Sequence, residues 1–117
     1  MTVDTTKAPP GLKVAGKRLW TSVVALFDLG AQEAALLREA CRTVDLLDDL
    51  EAILKRDGAV IDSPQGKKAH PAAVEARQQR IALARLVAAL RLPDDSEASK
   101  RPTARGPRGV YALNAAT

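Results

Sequence analysis

The sequence has few of the residues that build most catalytic and metal sites. Its 117 residues include one cysteine, one histidine, one tryptophan, one tyrosine and one phenylalanine. A single cysteine excludes an internal disulfide, and Cys41 lies on an apolar helical stripe, where a thiol packs as a small hydrophobic group. There is no His/Cys cluster at metal-ligand spacing and no Gly-x-Ser-x-Gly motif. We therefore expect no enzyme activity, no bound metal and no cofactor.

Long apolar runs and a phosphate-binding loop are missing as well. No run reaches the roughly 18 residues needed to span a bilayer, and the Pro9-Pro10 start lacks the apolar segment of a signal peptide. We expect a soluble, intracellular protein without membrane contact. The segment from Gly58 to Gly66-Lys67-Lys68 separates its glycines too widely for a phosphate loop and has Lys68 where such a loop has Ser or Thr, which argues against nucleotide binding.

The apolar residues that are present favour a mainly all-α fold. They make up 46% of the chain and are nearly all Leu, Ala and Val, which prefer helix over sheet. The length suffices for one core. Residues 1–10 read as a disordered arm closed by two prolines, residues 11–93 as one helical domain, and residues 94–117 as a flexible basic tail.

Apolar residues at spacings of three and four predict a first helix from Gly11 to about Phe27. Trp20 is expected to anchor its buried face. Lys13, Lys17 and Arg18 lie elsewhere on the helical wheel and are expected to face solvent. The predicted buried face comprises Leu12, Gly16, Leu19, Trp20, Val23, Leu26 and Phe27.

A second, unusually long helix is predicted to follow Gly30, which serves as N-cap with Glu33 in the first turn. It ends at Arg56 before Asp57-Gly58, about 39 Å later. Its apolar stripe is wide enough to contact more than one helix, within the subunit or in another subunit. We assign oligomerisation to Leu37, Val44, Leu47 and Leu54; Leu36, Ala40, Cys41, Leu46, Leu50 and Ile53 complete the stripe.

Residues 59–69 predict a short hairpin or an ordered loop, because a β-branched pair precedes the turn signal Ser63-Pro64-Gln65-Gly66. His70-Pro71 then opens a third helix, which Pro93 ends at Leu92. The three-helix core is therefore completed by a helical hairpin of the second and third helices. The expected apolar face of the third helix comprises Val74, Ile81, Leu83, Ala84, Leu86, Val87, Ala88 and Leu90.

Charge is distributed unevenly: residues 31–57 sum to −3 and residues 58–92 to +4. Asp45, Asp48, Asp49 and Glu51 could in principle hold a metal or act in acid–base catalysis. We favour a solvated face or ion pairs with Arg77, Arg80 or Arg85 of the third helix. The same arginines are also candidates for contact with DNA, and the sequence leaves both roles open.

Several short sequence segments follow one another in a characteristic order between residues 12 and 93. Leu19-Trp20 lies in the first helix, and the third holds Glu75-Ala76-Arg77-Gln78-Gln79-Arg80 before Leu90-Arg91-Leu92-Pro93. The second helix carries Ala35-Leu36-Leu37-Arg38-Glu39-Ala40-Cys41-Arg42-Thr43 and Asp45-Leu46-Leu47-Asp48-Asp49-Leu50. Together they resemble the phage terminase small subunit family, in the compact form carried by phages of actinobacteria.

The resemblance implies a non-catalytic subunit that acts in the cytoplasm of an infected bacterial host. Such a subunit forms a ring, here expected to hold more than four copies, binds viral double-stranded DNA and presents it to the terminase large subunit, which carries the ATPase and the nuclease. Many members have an N-terminal helix-turn-helix domain, for which residues 1–30 are too short. DNA contacts are therefore expected from Lys13, Lys17, Arg18, the turn lysines Lys67 and Lys68, Arg77, Arg80 and the tail residues Lys100, Arg101, Arg105 and Arg108.

A second class of function fits the same pattern. A helical DNA-binding regulator, or an antitoxin-like protein, would use the long helix for dimerisation and bind one operator. Stoichiometry separates the two hypotheses, because packaging requires a ring whereas the regulator is a plain dimer. An enzyme is a distant third hypothesis.

Overall fold

The computed structural model describes residues 7–93, and it is mainly helical, as the sequence predicts. The elements follow the chain as α1 (Val14–Val24), α2 (Ala31–Asp57), β1 (Val60–Ser63), β2 (Gly66–Ala69) and α3 (Pro71–Leu90). The predicted tail and the first six residues of the predicted arm lie outside the described residues. Of the remaining arm, Ala8 is half-buried and packs against the core.

Helix α2 has the predicted boundaries to within one residue. Gly30 is the N-cap, and its N–H donates to Glu33 Oε1 at 2.8 Å. At the other end Gly58 adopts a φ of 84°, which a glycine reaches at little cost, and the helix stops after 27 residues. At about 1.5 Å per residue, α2 is about 40 Å long.

Helix α1 is shorter than predicted at both ends. It begins at Val14, since Gly11 has a φ of 90° and lies outside the helical region. It ends at Val24, and the chain continues through a turn in which the N–H of Phe27 donates to the carbonyl of Val23 at 3.0 Å. The turn buries Phe27 but leaves Leu26 47% exposed, so the prediction that Leu26 belongs to the buried face is wrong.

Helix α2 is the centre of the fold, with α1 packed along its first half and α3 along most of its length. A large apolar cluster joins the first half of α2 to α1 and to the end of α3. A small cluster joins the second half of α2 to the start of α3, so α3 runs antiparallel to α2. The large cluster consists of Leu12, Trp20, Val23, Phe27, Leu29, Leu37, Cys41 and Leu90, and the small cluster of Leu50, Ala72 and Ala76.

The segment between α2 and α3 is a hairpin, one of the two forms predicted. Its strands pair from Val60 with Ala69 to Ser63 with Gly66, which leaves Pro64-Gln65 as the loop. The N–H of His70 donates to the carbonyl of Ala59 at 2.8 Å and extends the pairing to the first residue before α3. The hairpin therefore delivers His70 to the N-terminus of that helix.

Helix α3 opens at Pro71 as predicted but ends at Leu90, because Arg91 adopts a left-handed conformation with a φ of 55°. Its predicted apolar face is buried only in part. Helix α2 covers the side that carries Ala72, Ala76 and Leu90. Val74, Ile81 and Val87 remain 44–48% exposed, because the described chain has no further element to cover them.

Candidate nucleic-acid interface

The carboxylate of Asp45 fixes the N-terminus of α1 against the middle of α2. Asp45 Oδ2 accepts the backbone N–H of Lys13 and Oδ1 that of Gly16, each at 2.7 Å. The first turn of a helix leaves such N–H groups without helical partners and favours negative charge beside them. Because a carboxylate of the protein occupies this position, the N–H groups of Lys13 and Gly16 are not available to a phosphate group.

Gly16 permits the close approach that these hydrogen bonds require. A Cβ atom at this position would lie 2.8 Å from the carbonyl oxygen of Cys41 and closer still to the carboxylate of Asp45. Periodicity predicts that Gly16 lies on the buried face, but it does not predict the contact with Asp45. The available signal was an isolated glycine within a helical pattern, which often marks close packing.

The three basic residues near the start of α1 are all exposed, as predicted: Lys13 at the N-cap, and Lys17 and Arg18 within the helix. Lys13 Nζ lies 2.7 Å from Asp49 Oδ2, and the hydrogen bond and charge of Asp49 raise the pKa of Lys13. Lys17 and Arg18 have no ion pair with any residue between 7 and 93. These two cations are therefore available to a polyanion without loss of an internal contact to the described chain.

Lys67 and Lys68 lie on strand β2 rather than in the turn, which corrects their predicted position. Lys67 Nζ is 2.8 Å from Oδ1 of its register partner Asp62, and both side chains are largely exposed. Exposed pairs of this kind contribute little to stability. Lys68 pairs in register with Ile61, points to the opposite face of the hairpin and has no ion pair within the described part of the chain.

The acidic residues of α2 divide between two helices. Arg80 of α3 forms an ion pair with Glu51, one of the pairs predicted between the α2 carboxylates and the α3 arginines. Asp45 and Asp49 instead bind the start of α1: Asp45 accepts backbone N–H groups there, and Asp49 pairs with Lys13. This corrects the expectation that α3 arginines neutralise these two carboxylates. Arg77 and Arg85 have no ion pair among the described residues.

His70 connects the end of α2 to the start of α3 through both nitrogens of its ring. Its Nδ1 accepts the N–H of Ala72 at 2.9 Å, so His70 caps the N-terminus of α3. Its Nε2 lies 2.9 Å from Asp57 Oδ2 at the end of α2 and, with Nδ1 accepting, must be the protonated nitrogen. Hydrogen bonds from Arg56 and then His70 lower the pKa of Asp57 below its ordinary value.

The predicted DNA contacts do not form one patch on a single chain. Lys13 lies beside Asp49, whereas the hairpin with Lys67 and Lys68 begins after Gly58. Asp49 and Gly58 are nine positions apart, about 13 Å at 1.5 Å per residue. Any common DNA surface that uses both groups therefore spans at least the last third of α2 or more than one copy.

The four residues assigned to oligomerisation are mostly used within the subunit. Leu37 is fully buried in the large cluster, so the prediction that it contacts another copy is wrong for this fold. Leu47 and Leu54 are half-buried against the small cluster, and Val44 is half-buried as well. The wide stripe of α2 is explained by two partner helices of the same chain.

The described residues, 7–93, contain no group of three or more acidic, histidine or cysteine residues arranged to hold a metal ion. Cys41 is buried, and burial raises the pKa of its thiol to about 11. No helix in this range is both long enough and apolar enough to cross a membrane.

Comparisons of the chain with protein families, characterised proteins and solved structures find no match.

Proposed function

We propose that the protein is a phage terminase small subunit, a non-catalytic adaptor that binds viral double-stranded DNA and delivers it to the large ATPase and nuclease subunit. The observation that supports DNA binding most directly is the presence of exposed cations without ion pairs among the described residues, which include Lys17, Arg18 and Lys68. The order of short sequence segments over residues 12–93 supports the family. The proposed site of action is the cytoplasm of the infected bacterial host.

Binding is proposed to depend on assembly. One chain contributes only a few phosphate contacts. In a plot of the logarithm of the binding constant against the logarithm of the salt concentration, each phosphate contact adds about −0.9 to the slope. A ring of more than four copies repeats those contacts, so that weak individual contacts add up to high avidity. Affinity should therefore be low for the isolated chain and high and salt-sensitive for the assembly.

Titration of the assembled protein with duplex DNA at several salt concentrations tests this function. The Lys67→Ala, Lys68→Ala double variant and the Lys17→Ala, Arg18→Ala double variant are expected to weaken binding to all sequences and to flatten the salt dependence. The matched control, Arg38→Ala with Arg42→Ala, removes the same charge from α2. Binding equal to wild type in both test variants contradicts a phosphate role for α1 and the hairpin.

Native mass spectrometry distinguishes packaging from regulation. We expect more than four subunits per particle at micromolar concentration. A dimer that binds one operator sequence supports the regulator or antitoxin-like alternative instead. A monomer contradicts both functions.

Capture of the large subunit is the second arm of the test. Val110, Tyr111 and Leu113 lie outside the described residues and form an apolar motif of the kind that docks onto a partner. Removal of residues 94–117 is expected to leave the melting temperature and the particle mass nearly unchanged while weakening co-purification with the large subunit. A fall of many degrees in melting temperature contradicts this assignment.

A further inference from the structure

The outer side of α3 carries an apolar stripe that the described chain leaves uncovered. Val74, Ile81 and Ala88 repeat every seven residues, and Ala84 lies between the last two. Seven residues are close to two helical turns, so these positions share one side of the helix, opposite Ala72, Ala76 and Leu90. Val74 and Ile81 are each 44% exposed.

Two arginines accompany this stripe. Arg77 and Arg85 fall on the same outer side of α3, are exposed and have no ion pair among the described residues. Arg80 differs from both, because it turns toward α2 and pairs with Glu51. The outer α3 face is therefore apolar along its centre and positively charged at its margins.

A second surface lies on the far half of α2. Helix α1 reaches only as far as Asp45 and Asp49, and beyond them α2 continues for eight residues with α3 on one side. The side left open forms a groove of about 620 Å³. Its lining consists of Asp48, Glu51, Ala52, Leu54, Lys55 and Ala59.

The two surfaces are complementary in charge, and both carry apolar residues. One is a helix face with apolar residues and two cations, and the other is a shallow, open groove with alanine and leucine in its wall and with two carboxylates and one lysine in its lining. Asp48 at the rim has no ion pair among residues 7–93. The net charges agree with this match, since residues 31–57 sum to −3 and residues 58–92 to +4.

We propose that the outer α3 face of one copy docks into the α2 groove of a second copy, with Val74 and Ile81 against the groove wall and Arg77 and Arg85 facing Asp48. Phosphate contacts need no apolar side chains, so the exposed valine and isoleucine favour a protein occupant over DNA. The two patches differ, so the contact is heterologous, and a heterologous contact generates a ring when its rotation closes. The inference rests on the proposed function only in assuming that copies assemble.

Two variants, each defective in one surface, test the pairing. The face variant carries Arg77→Glu and Ile81→Glu, and the groove variant carries Asp48→Arg and Ala52→Arg; all four positions are exposed. Each variant alone is expected to be monomeric by native mass spectrometry, with a dissociation constant at least about a hundredfold above wild type, because attraction becomes repulsion. A one-to-one mixture is expected to give heterodimers through the one intact face and the one intact groove. The substituted face and the substituted groove also carry opposite charges, so larger mixed particles support the pairing as well.

The control is the Lys17→Glu, Arg18→Glu variant, which reverses two exposed charges on α1 and is expected to assemble as wild type does. Circular dichroism and melting temperature verify folding, and Arg77→Glu with Arg85→Glu replaces the face variant if Ile81→Glu unfolds the chain. Wild-type assembly by either variant, or a mixture that forms no mixed particles, overturns the interface. A face variant that is monomeric beside a groove variant that assembles normally indicates an α3–α3 contact instead and also overturns it.

DNA titration separates this inference from the proposed function. Loss of DNA binding by the face variant with its particle mass unchanged assigns Arg77 to DNA and overturns the interface alone. Assembly through this interface by a wild-type protein that binds no duplex DNA overturns the proposed function and leaves the interface standing.

Discussion

The two halves of α2 are stabilised in different ways. Along its first half, the large cluster buries Trp20, Phe27 and Leu37 to 6% exposure or less. Along its second half, the small cluster is built from Leu50 and two alanines, and hydrogen bonds of His70 and Asp57 connect the helix ends. Full burial of one large apolar side chain contributes about 1.5–3 kcal/mol, whereas one hydrogen bond contributes about 1 kcal/mol. Stability should therefore decrease from the α1 end of the molecule toward the hairpin.

Truncation of Leu37 is expected to have the largest effect. Leu37→Ala leaves a cavity among the residues of the large cluster, and such changes cost about 2–5 kcal/mol. Leu54→Ala is the matched control in the second half of α2, where the side chain is only half-buried, and it should cost clearly less. Urea denaturation followed by circular dichroism measures both. Equal losses would contradict the difference between the two halves.

Gly16→Ala tests the close contact of α1 with α2. In an ordinary helix this change stabilises by about 1 kcal/mol, but here the new methyl group meets the backbone of Cys41 and the carboxylate of Asp45. Overpacking and the loss of the Asp45 hydrogen bonds should outweigh that gain, for a net destabilisation of about 2–3 kcal/mol. Ser22→Ala, at an exposed position of α1, should change stability by less than about 0.5 kcal/mol. Stabilisation by Gly16→Ala would show that α1 can move away from α2 at little cost.

The helix cap at His70 should contribute less to the free energy of unfolding than the close contact at Gly16 does. His70→Ala removes the acceptor for the N–H of Ala72 and is expected to cost about 1 kcal/mol. His70→Asn restores a side-chain acceptor at the same position and should recover much of the loss. Hydrogen exchange is the sharper readout, because protection should fall at the start of α3 and not in α1.

The stabilising contribution of the Asp57 carboxylate should depend on pH. Its pKa is lower in the folded protein than in the unfolded chain, so its stabilising effect is complete above the ordinary aspartate pKa of about 4. The effect is lost as the pH falls from there toward the folded value. Asp57→Asn should therefore lower the melting temperature at pH 7 and change it much less in strong acid. Asp62→Asn, at a more exposed carboxylate, is the control.

The smallest effect is expected from Arg80→Ala. Its ion pair with Glu51 is about half exposed on both sides, and such pairs contribute less than about 1 kcal/mol. Arg77→Ala removes no ion pair within the described residues and should be neutral for folding. A loss above 2 kcal/mol for Arg80→Ala would show that the second half of α2 depends on this pair more than on its small cluster.

The sequence predicts the elements of the fold well because their signals are local. Gly30 with Glu33, Asp57-Gly58 and His70-Pro71 each combine a helix end with a residue whose conformation or hydrogen bonding suits that end. The boundaries of α1 and α3 are predicted less accurately, because apolar periodicity does not reveal the left-handed conformations of Gly11 and Arg91. Cys41 is buried, as its place on the apolar stripe indicated.

The contacts of the site were harder to predict because they depend on how helices cross. The carboxylates of α2 follow one another at helical spacing, yet Asp45 and Asp49 serve α1 and Glu51 serves α3. Periodicity gives the side of a helix but not the identity of the neighbour. For the same reason the wide stripe of α2 suggested contacts between subunits at Leu37, whose neighbours lie in its own chain.

The large cluster also determines where the chain enters and leaves the fold. Ala8 and Leu92, which lie 84 residues apart in the sequence, both pack against it, while the hairpin lies at the opposite end of α2. The molecule therefore has a polarity, with both segments outside the described range attached at one pole and Lys67 and Lys68 displayed at the other. In a ring whose axis runs along α2, the attachment points of these segments form one layer and the hairpins form another. The points at which these segments leave the described fold therefore lie about the length of α2 from the hairpins.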